Sequence, residues 1–310
     1  MWDNALLRPL VAVVLVGLVA LPAAWATPPA TRAPVPRRPG PSPSATPELP
    51  VWDLPHDGPG YDGGCGLRGP RRCLAFTFDD GPDCHTTPAV LETLRRHRLR
   101  ATFFVVGHRL DGDDPYHARN REVLREIVRD GHRVGNHTYQ HVVLDGLRPE
   151  RLAWEIDRTE ALIRGVTGQR PSLLRAPFGA LSTRRAVEAV HLRGYTHVHW
   201  DVDTMDWSVA SADAVTQNFR QVLAYHPRGG VVLLHDTHPW SVRAFPQLLA
   251  YLSQTNRQAR ARGERPWELV GVEEFLPRPE DPTTPAPRGQ PAAAGAPSPR
   301  GAAGRSPPGR

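Results

Sequence analysis

Short apolar runs along the chain end in Gly, Pro or Asp, and between them apolar residues recur at helical spacing. The run Leu74-Ala75-Phe76 leads into Thr77-Phe78-Asp79-Asp80-Gly81-Pro82, which reads as a short buried strand leaving its sheet through a Gly-Pro turn. Residues 101–106 are β-branched and aromatic and stop at Gly107. The segment 118–130 puts Val123, Leu124, Ile127 and Val128 on one helical face, and 149–166 carries Leu152, Ile156 and Ile163 at helical spacing. Residues 196–200, 231–234 and 267–270 read as further buried strands. A helical run with Val242, Phe245, Leu248, Leu249 and Leu252 separates the last two. Repeated βα units predict a parallel sheet with right-handed crossovers.

Periodicity alone fits either a closed barrel or an open doubly wound sheet. The polar residues help to choose. Asp79, Asp80, Arg175, Asp203 and His235 all fall at the C-terminal ends of predicted strands. In a barrel those ends meet at one mouth, where active sites of such folds lie.

The chemistry starts with the paired carboxylates. Side chains alternate along a strand, so Asp79 and Asp80 should diverge, one free to ligate a metal and the other to take a proton. Further on, Gly135-Asn136-His137-Thr138-Tyr139-Gln140-His141 spaces two histidines i, i+4, which on a helical turn brings both imidazoles to one side. In a chain with 14 His such a pair is a weak signal by itself. Joined to Asp80, it gives two imidazoles, one carboxylate and an open position, the composition of a catalytic rather than a structural zinc site.

Three more segments extend the pattern: Arg175-Ala176-Pro177-Phe178-Gly179, Asp203-Thr204-Met205-Asp206-Trp207 and Val231-Val232-Leu233-Leu234-His235-Asp236. With all five segments in this order, the chain resembles the polysaccharide deacetylase (NodB-homology) family, also called carbohydrate esterase family four. The resemblance spans roughly residues 74–235. It implies an α/β fold, a single distorted (β/α)7-type barrel, and hydrolysis of an acetyl group with one divalent ion, Zn²⁺ or Co²⁺ among the candidates.

Matched position by position, the resemblance gives each residue a role. Asp80, His137 and His141 hold the metal. Asp79 is the base, oriented by Arg175, and His235 is the acid, with Asp206 beside it favouring the imidazolium. The backbone N–H of Phe178 is the second oxyanion donor. Many relatives carry Tyr at this position, but a main-chain donor does not depend on the side chain. Trp207 and Leu233 form a narrow slot for the acetyl methyl, and Trp240 is either a sugar-stacking platform or a lid residue. Asp203 stays open between an active-site partner and a strand-end cap, Tyr139 between a site residue and packing beneath the metal loop. The acidic stretch 107–115 either reads a substrate or is a solvated turn.

Three functions fit. The first is an N-deacetylase for an extracellular polymer of N-acetylglucosamine, peptidoglycan or chitin-like. The second is an O-acetyl esterase on xylan using the same site. The third is a catalytically silent carbohydrate-binding module, against which the full set Asp79, Asp80, His137, His141 and His235 argues.

The ends of the chain bound the rest. Arg8 precedes twelve apolar or small residues (10–21), and Ala24-Trp25-Ala26 offers a small-x-small cleavage site. Residues 1–26 are therefore expected to be a signal peptide, or an N-terminal anchor if left uncleaved, and the protein to be exported. Residues 27–50 hold nine prolines and 277–310 hold ten, too little apolar content to order a core. That leaves 51–277 as one deacetylase-type domain, with 27–50 as a Pro-rich linker and 278–310 as a disordered tail.

The net charge of +6 lies in the ends. Residues 1–50 carry four Arg against two acids and residues 278–310 five against two, so +2 and +3 leave about +1 for the domain. A nucleic-acid binder would concentrate charge on a folded face, so no nucleic acid is expected. Weak attraction of the tails to an anionic wall or membrane surface is the reading, and the domain is taken as a monomer. The chain contains no Lys, which excludes lysine catalysis. Of Cys65, Cys73 and Cys84, the last two flank the first strand, too far apart for a disulfide. Export makes Cys65–Cys73 the expected pair, with Cys84 an unpaired thiol against the first helix.

Overall fold

The computed structural model describes residues 71–276. The expected export segment, the Pro-rich linker, Cys65, the C-terminal tail and both predicted domain limits lie outside the described residues. Among the described residues no helix is long and apolar enough to cross a membrane.

Among the described residues eight strands pair in parallel throughout: β1 (Arg72–Asp79), β2 (Thr102–Val105), β3 (Arg133–Asn136), β4 (Leu173–Leu174), β5 (Thr196–His197), β6 (Val202–Asp203), β7 (Gly229–His235) and β8 (Trp267–Leu269). The sheet runs β5-β4-β3-β2-β1-β7-β6, and β8 pairs with the start of β1. Six α-helices among the described residues cover it: α1 (Thr87–Arg96), α2 (Pro115–Arg129), α3 (Pro149–Thr167), α4 (Arg184–Leu192), α5 (Ala212–Tyr225) and α6 (Pro239–Ala261).

The edges of this path are β5 and β6, and only residues 198–201 separate them in sequence. No helix intervenes, so the βα alternation expected from the sequence breaks here. The short irregular link spans the seam where a closed barrel would have a ladder. This makes the (β/α)7-type barrel a distorted one, as expected. The sequence reading of 196–200 as a buried strand needs correction. The ladder covers only Thr196–His197, and Thr196 and His199 are exposed while Val198 is buried. An edge position explains the difference, because one side of β5 has no neighbouring strand to cover it.

Period-two alternation in β1 divides the core and sets up the site. Leu74, Phe76 and Phe78 face the helices and pack with Phe103, Phe219, Phe245, Leu248 and Leu252. The rings of Phe78 and Phe103 stack at 5.2 Å, and Phe245 meets Phe76 edge-on at 5.1 Å. Burying each such ring contributes about 1.5–3 kcal/mol. Ala75, Thr77 and Asp79 have the opposite parity and face the barrel interior, where Ala75 packs with Phe104, Leu173, Val198 and Val231. The same alternation that builds the helical core therefore aims Asp79 inward.

Cys73 is disulfide-bonded and Cys84 is free. Cys84 is partly buried against the helix-side core, and its N–H donates to Asn120 Oδ1.

Candidate active site

Asp79 ends β1 and is almost fully buried. Its partner is Arg175, one residue past β4 and itself fully buried. Arg175 Nη1 donates to Asp79 Oδ1 at 2.8 Å and to Thr77 Oγ1 at 2.7 Å. The rest of the fork crosses the seam: Nε donates to the Val198 carbonyl and Nη2 to the His199 carbonyl, both at 3.1 Å. The guanidinium also lies over the Phe104 ring at 4.2 Å. One side chain thus holds the proposed base and ties the β5–β6 link to the barrel interior.

Asp80 does not diverge from Asp79 as simple alternation predicts. Its backbone lies in the left-handed region, φ 74°, which turns the carboxyl back across the mouth. Asp79 Oδ2 and Asp80 Oδ1 lie 3.6 and 3.5 Å from His137 Nε2, and Asp80 Oδ1 lies 3.2 Å from His141 Nε2.

The two histidines do come together, with ring centroids 4.9 Å apart, but not on a helix as the i, i+4 spacing suggested. They sit on an irregular loop after β3 whose Thr138 (φ 67°) and His141 (φ 52°) are left-handed. The loop is held from below. Asn136 Oδ1 accepts from the Thr138 N–H, and buried Glu155 of α3 accepts from the Tyr139 and Gln140 N–H groups at 2.8 Å each. Glu155 was missed in the sequence, although an acid beside Ile156 on the apolar face of α3 was the signal.

The donor set fits a metal ion. His137 Nδ1 lies 2.7 Å from the Arg175 carbonyl, which can only accept, so Nδ1 carries a proton and Nε2 is the ring nitrogen left facing Asp80. Asp80 Oδ1 is buried and makes no hydrogen bond. Asp80, His137 and His141 each offer a ligand atom, all within 4.8 Å of one another, a set that can hold a cation. Ligands about 2.0–2.1 Å from a tetrahedral ion stand roughly 3.3–3.4 Å from one another. The observed 3.2 and 3.5 Å bracket that edge. Protonation agrees with ligation. Burial would raise Asp80, but the His137 and His141 imidazoles outweigh it and hold the carboxyl below the usual range, while burial pulls His141 down despite Asp80. Asp83, Cys84 and His85 also place ligand atoms near one another, but Asp83 is engaged by Arg109 and Tyr116.

Opposite the histidines, His235 ends β7, in register with Asp79. Its Nδ1 bonds Asp206 Oδ1 at 2.7 Å, and Ser241 Oγ donates to Asp206 Oδ2 at 2.6 Å. Burial lowers His235, but Asp206, with Asp79 and Asp80 behind it, outweighs burial and pushes the imidazole up to about 9. The next residue, Asp236, is wholly buried, and burial pushes its carboxyl up to about 7.

The predicted substrate-contact residues spread around this mouth. Phe178 (φ 60°) is 67 % exposed and its ring meets His141 edge-on at 4.7 Å. Trp207 is exposed and Leu233 buried. Trp240 is half-buried, stacks on His238, and donates its indole N–H to the Asp206 carbonyl at 2.7 Å, so it braces the partner of His235. Asp203 Oδ1 caps its own turn by accepting from Met205 N–H. Tyr139 packs on Trp154 and donates to Asp111, which also pairs with Arg158. Asp114 caps α2. Asp111 and Asp114 of the acidic stretch 107–115 are thus employed in structure. Non-glycine residues with positive φ gather here as well: Asp80, Thr138, His141, Phe178 and Met205, with Arg98 elsewhere. Such strain concentrates at functional sites.

Comparison with known proteins agrees with this geometry. The polysaccharide deacetylase family model matches residues 67–198. A chitooligosaccharide deacetylase from Bradyrhizobium is 37 % identical over 169 residues, 54 % of this chain and 72 % of its own length. The chain belongs to the polysaccharide deacetylase family. Other members include the peptidoglycan-N-acetylglucosamine deacetylase PgdA of Listeria monocytogenes, 34 % identical over 202 residues. That match covers 65 % of this chain and 38 % of PgdA, so the chain spans well under half of that relative's length. Among solved structures, the peptidoglycan deacetylase PdaC of Bacillus subtilis superposes with a TM-score of 0.55 at 27 % identity, covering 66 % of this chain and 90 % of that one.

Proposed function

We propose that this protein is a metal-dependent N-deacetylase of an extracellular N-acetylglucosamine polymer, peptidoglycan or chitin-like. The observation that carries the reading is the convergence of Asp80, His137 and His141 between a buried Arg175–Asp79 pair and a His235–Asp206 pair. Asp80, His137 and His141 would hold the ion, and when bound it supplies Lewis acidity and lowers the pKa of water. Zn²⁺ suits two imidazoles and one carboxylate.

Asp79 takes the proton of the attacking water, kept in place by the guanidinium of Arg175. His235, held protonated by Asp206, gives a proton to the departing nitrogen. That step matters for an amide, because an amine leaves poorly unless protonated, whereas an ester's alkoxide leaves more readily. The Phe178 N–H adds a donor for the developing oxyanion. Trp207 and Leu233 favour acetyl over longer acyl groups. Export through the N-terminal apolar segment would bring the enzyme to such a polymer.

The test is acetate release from chitin oligomers, peptidoglycan and acetylated xylan assayed side by side. Acetate and free amine from the N-acetylglucosamine substrates support the reading. Release from xylan alone turns it into an O-acetyl esterase, and release from none, with metal bound, into a silent binding module.

A further inference from the structure

Asp236 follows the proposed acid and is wholly buried, yet the reaction above gives it no work. Asp236 lies one residue past the end of β7, in the turn that follows, and its carboxyl meets α1. There Thr87 Oγ1 donates to Asp236 Oδ2, whereas Oδ1 accepts nothing among the described residues. A buried, half-paired carboxyl is a poor device for stability, since the cost of removing it from water is only partly offset.

What the carboxyl touches suggests its use. Gly81 packs so closely against it that a Cβ on Gly81 would overlap both oxygens. Gly81 directly follows Asp80, the residue whose left-handed backbone aims a carboxyl at the two histidines. The Gly81 carbonyl accepts from the Val106 N–H at 3.0 Å, which clamps the same turn from the β2 side. Thr87 Oγ1 also accepts from the Asp83 N–H at 2.8 Å. One hydroxyl therefore joins the far end of the turn to the end of β7.

We propose that Asp236 is a positioning residue, fixing the Asp80–Gly81 turn against the end of β7 and so setting Asp80 relative to His137 and His141. This rests on reading Asp80 as a metal ligand. Asp236 acts through backbone and hydroxyl, touching neither substrate nor metal.

The test is Zn²⁺ affinity of the full chain, measured by competition with a chromophoric chelator, beside thermal unfolding of the metal-stripped protein. Asp236→Ala should weaken Zn²⁺ binding ~10–100-fold, while Asp236→Asn, which keeps an oxygen for Thr87, should stay within about threefold. A purely structural role would lower the unfolding temperature and leave the affinity of folded protein unchanged. Parent-like affinity in Asp236→Ala overturns the proposal, and so does an Asp236→Asn weakened as far as the alanine variant. Should Asp236→Ala fail to fold, Thr87→Val removes the same link with little change of shape. Its affinity should fall in the same range, and parent-like binding there also overturns the proposal. A parent that binds no Zn²⁺ overturns the metal reading itself and this proposal with it, a result seen before any substitution is made.

Discussion

His235 and Asp206 are joined twice: Nδ1 of the imidazole bonds one carboxylate oxygen and the His235 backbone N–H donates to the other, each at 2.7 Å. The double contact fixes the position of the ring and engages Nδ1, leaving Nε2 without a hydrogen-bond partner among the described residues. Ser241 and Trp240 hold Asp206 in turn, through its carboxylate and its backbone carbonyl. His235 therefore belongs to a small bonded unit built from three segments: the turn after β6, the end of β7 and the start of α6.

That unit sets a pH dependence. His235 is pushed up to about 9, so its proton is present at neutral pH and is lost as pH rises through that value. An amide hydrolase using this acid should lose kcat on the alkaline side. In Asp206→Asn the largest raising influence is gone, and the alkaline limb should move down by ~1–3 pH units. The pair's contribution to stability has the same sign, fully present below the ordinary His pKa near ~6.5 and lost as pH climbs through the raised value. A pH–kcat profile of parent and variant decides it; coincident alkaline limbs would remove His235 from the acid role.

The adjacent aspartates should separate by function. Asp79→Asn should keep the metal and lose turnover ~10²–10⁴-fold, the usual worth of a general base. Asp80→Asn should lose both. Metal content and turnover of the two variants, measured together, provide the check, and an Asp79→Asn enzyme as active as the parent would place the base elsewhere.

Metal loading should depend on each imidazole. His137→Ala and His141→Ala should each leave the protein largely metal-free after dialysis, and chelation of the parent should abolish acetate release. Elemental analysis reads the first and a chelate-and-restore assay the second. Full occupancy in both variants would show that the ion, if any, binds elsewhere.

Much of this site was legible because each motif ends a strand. The apolar run before Asp79 marked the end of a buried strand, and the five segments supplied the candidate residues in order. What the sequence obscured was backbone conformation. The i, i+4 histidines read as helical because spacing carries no information about left-handed residues such as Thr138 and His141. Asp80 broke strand alternation for the same reason. The missing helix between β5 and β6 was equally hidden. A four-residue irregular link has too few positions for a period, so 196–200 read as one strand. The acids at 111 and 114 stayed open between a substrate contact and a solvated turn because their partners, Arg158 and the start of α2, are distant or backbone.

Arg175 carries the last expectation, because it belongs to fold and site at once. It is fully buried, and its guanidinium serves Thr77, Asp79 and the carbonyls of Val198 and His199. Removing one member of a buried ion pair strands the other, at a cost of ~3–5 kcal/mol. Arg175→Met should therefore destabilise the protein by about that much in urea unfolding. Arg175→Lys should rescue it only in part, since an ammonium cannot reproduce the planar fork. Replacing Asp79 as well removes the stranded charge, so Arg175→Met with Asp79→Asn should be more stable than the sum of the single losses predicts, by ~0.5–3 kcal/mol of coupling. Strict additivity would mean that Arg175 stabilises the seam at Val198 and His199 independently of the base, and that its alignment of Asp79 is incidental.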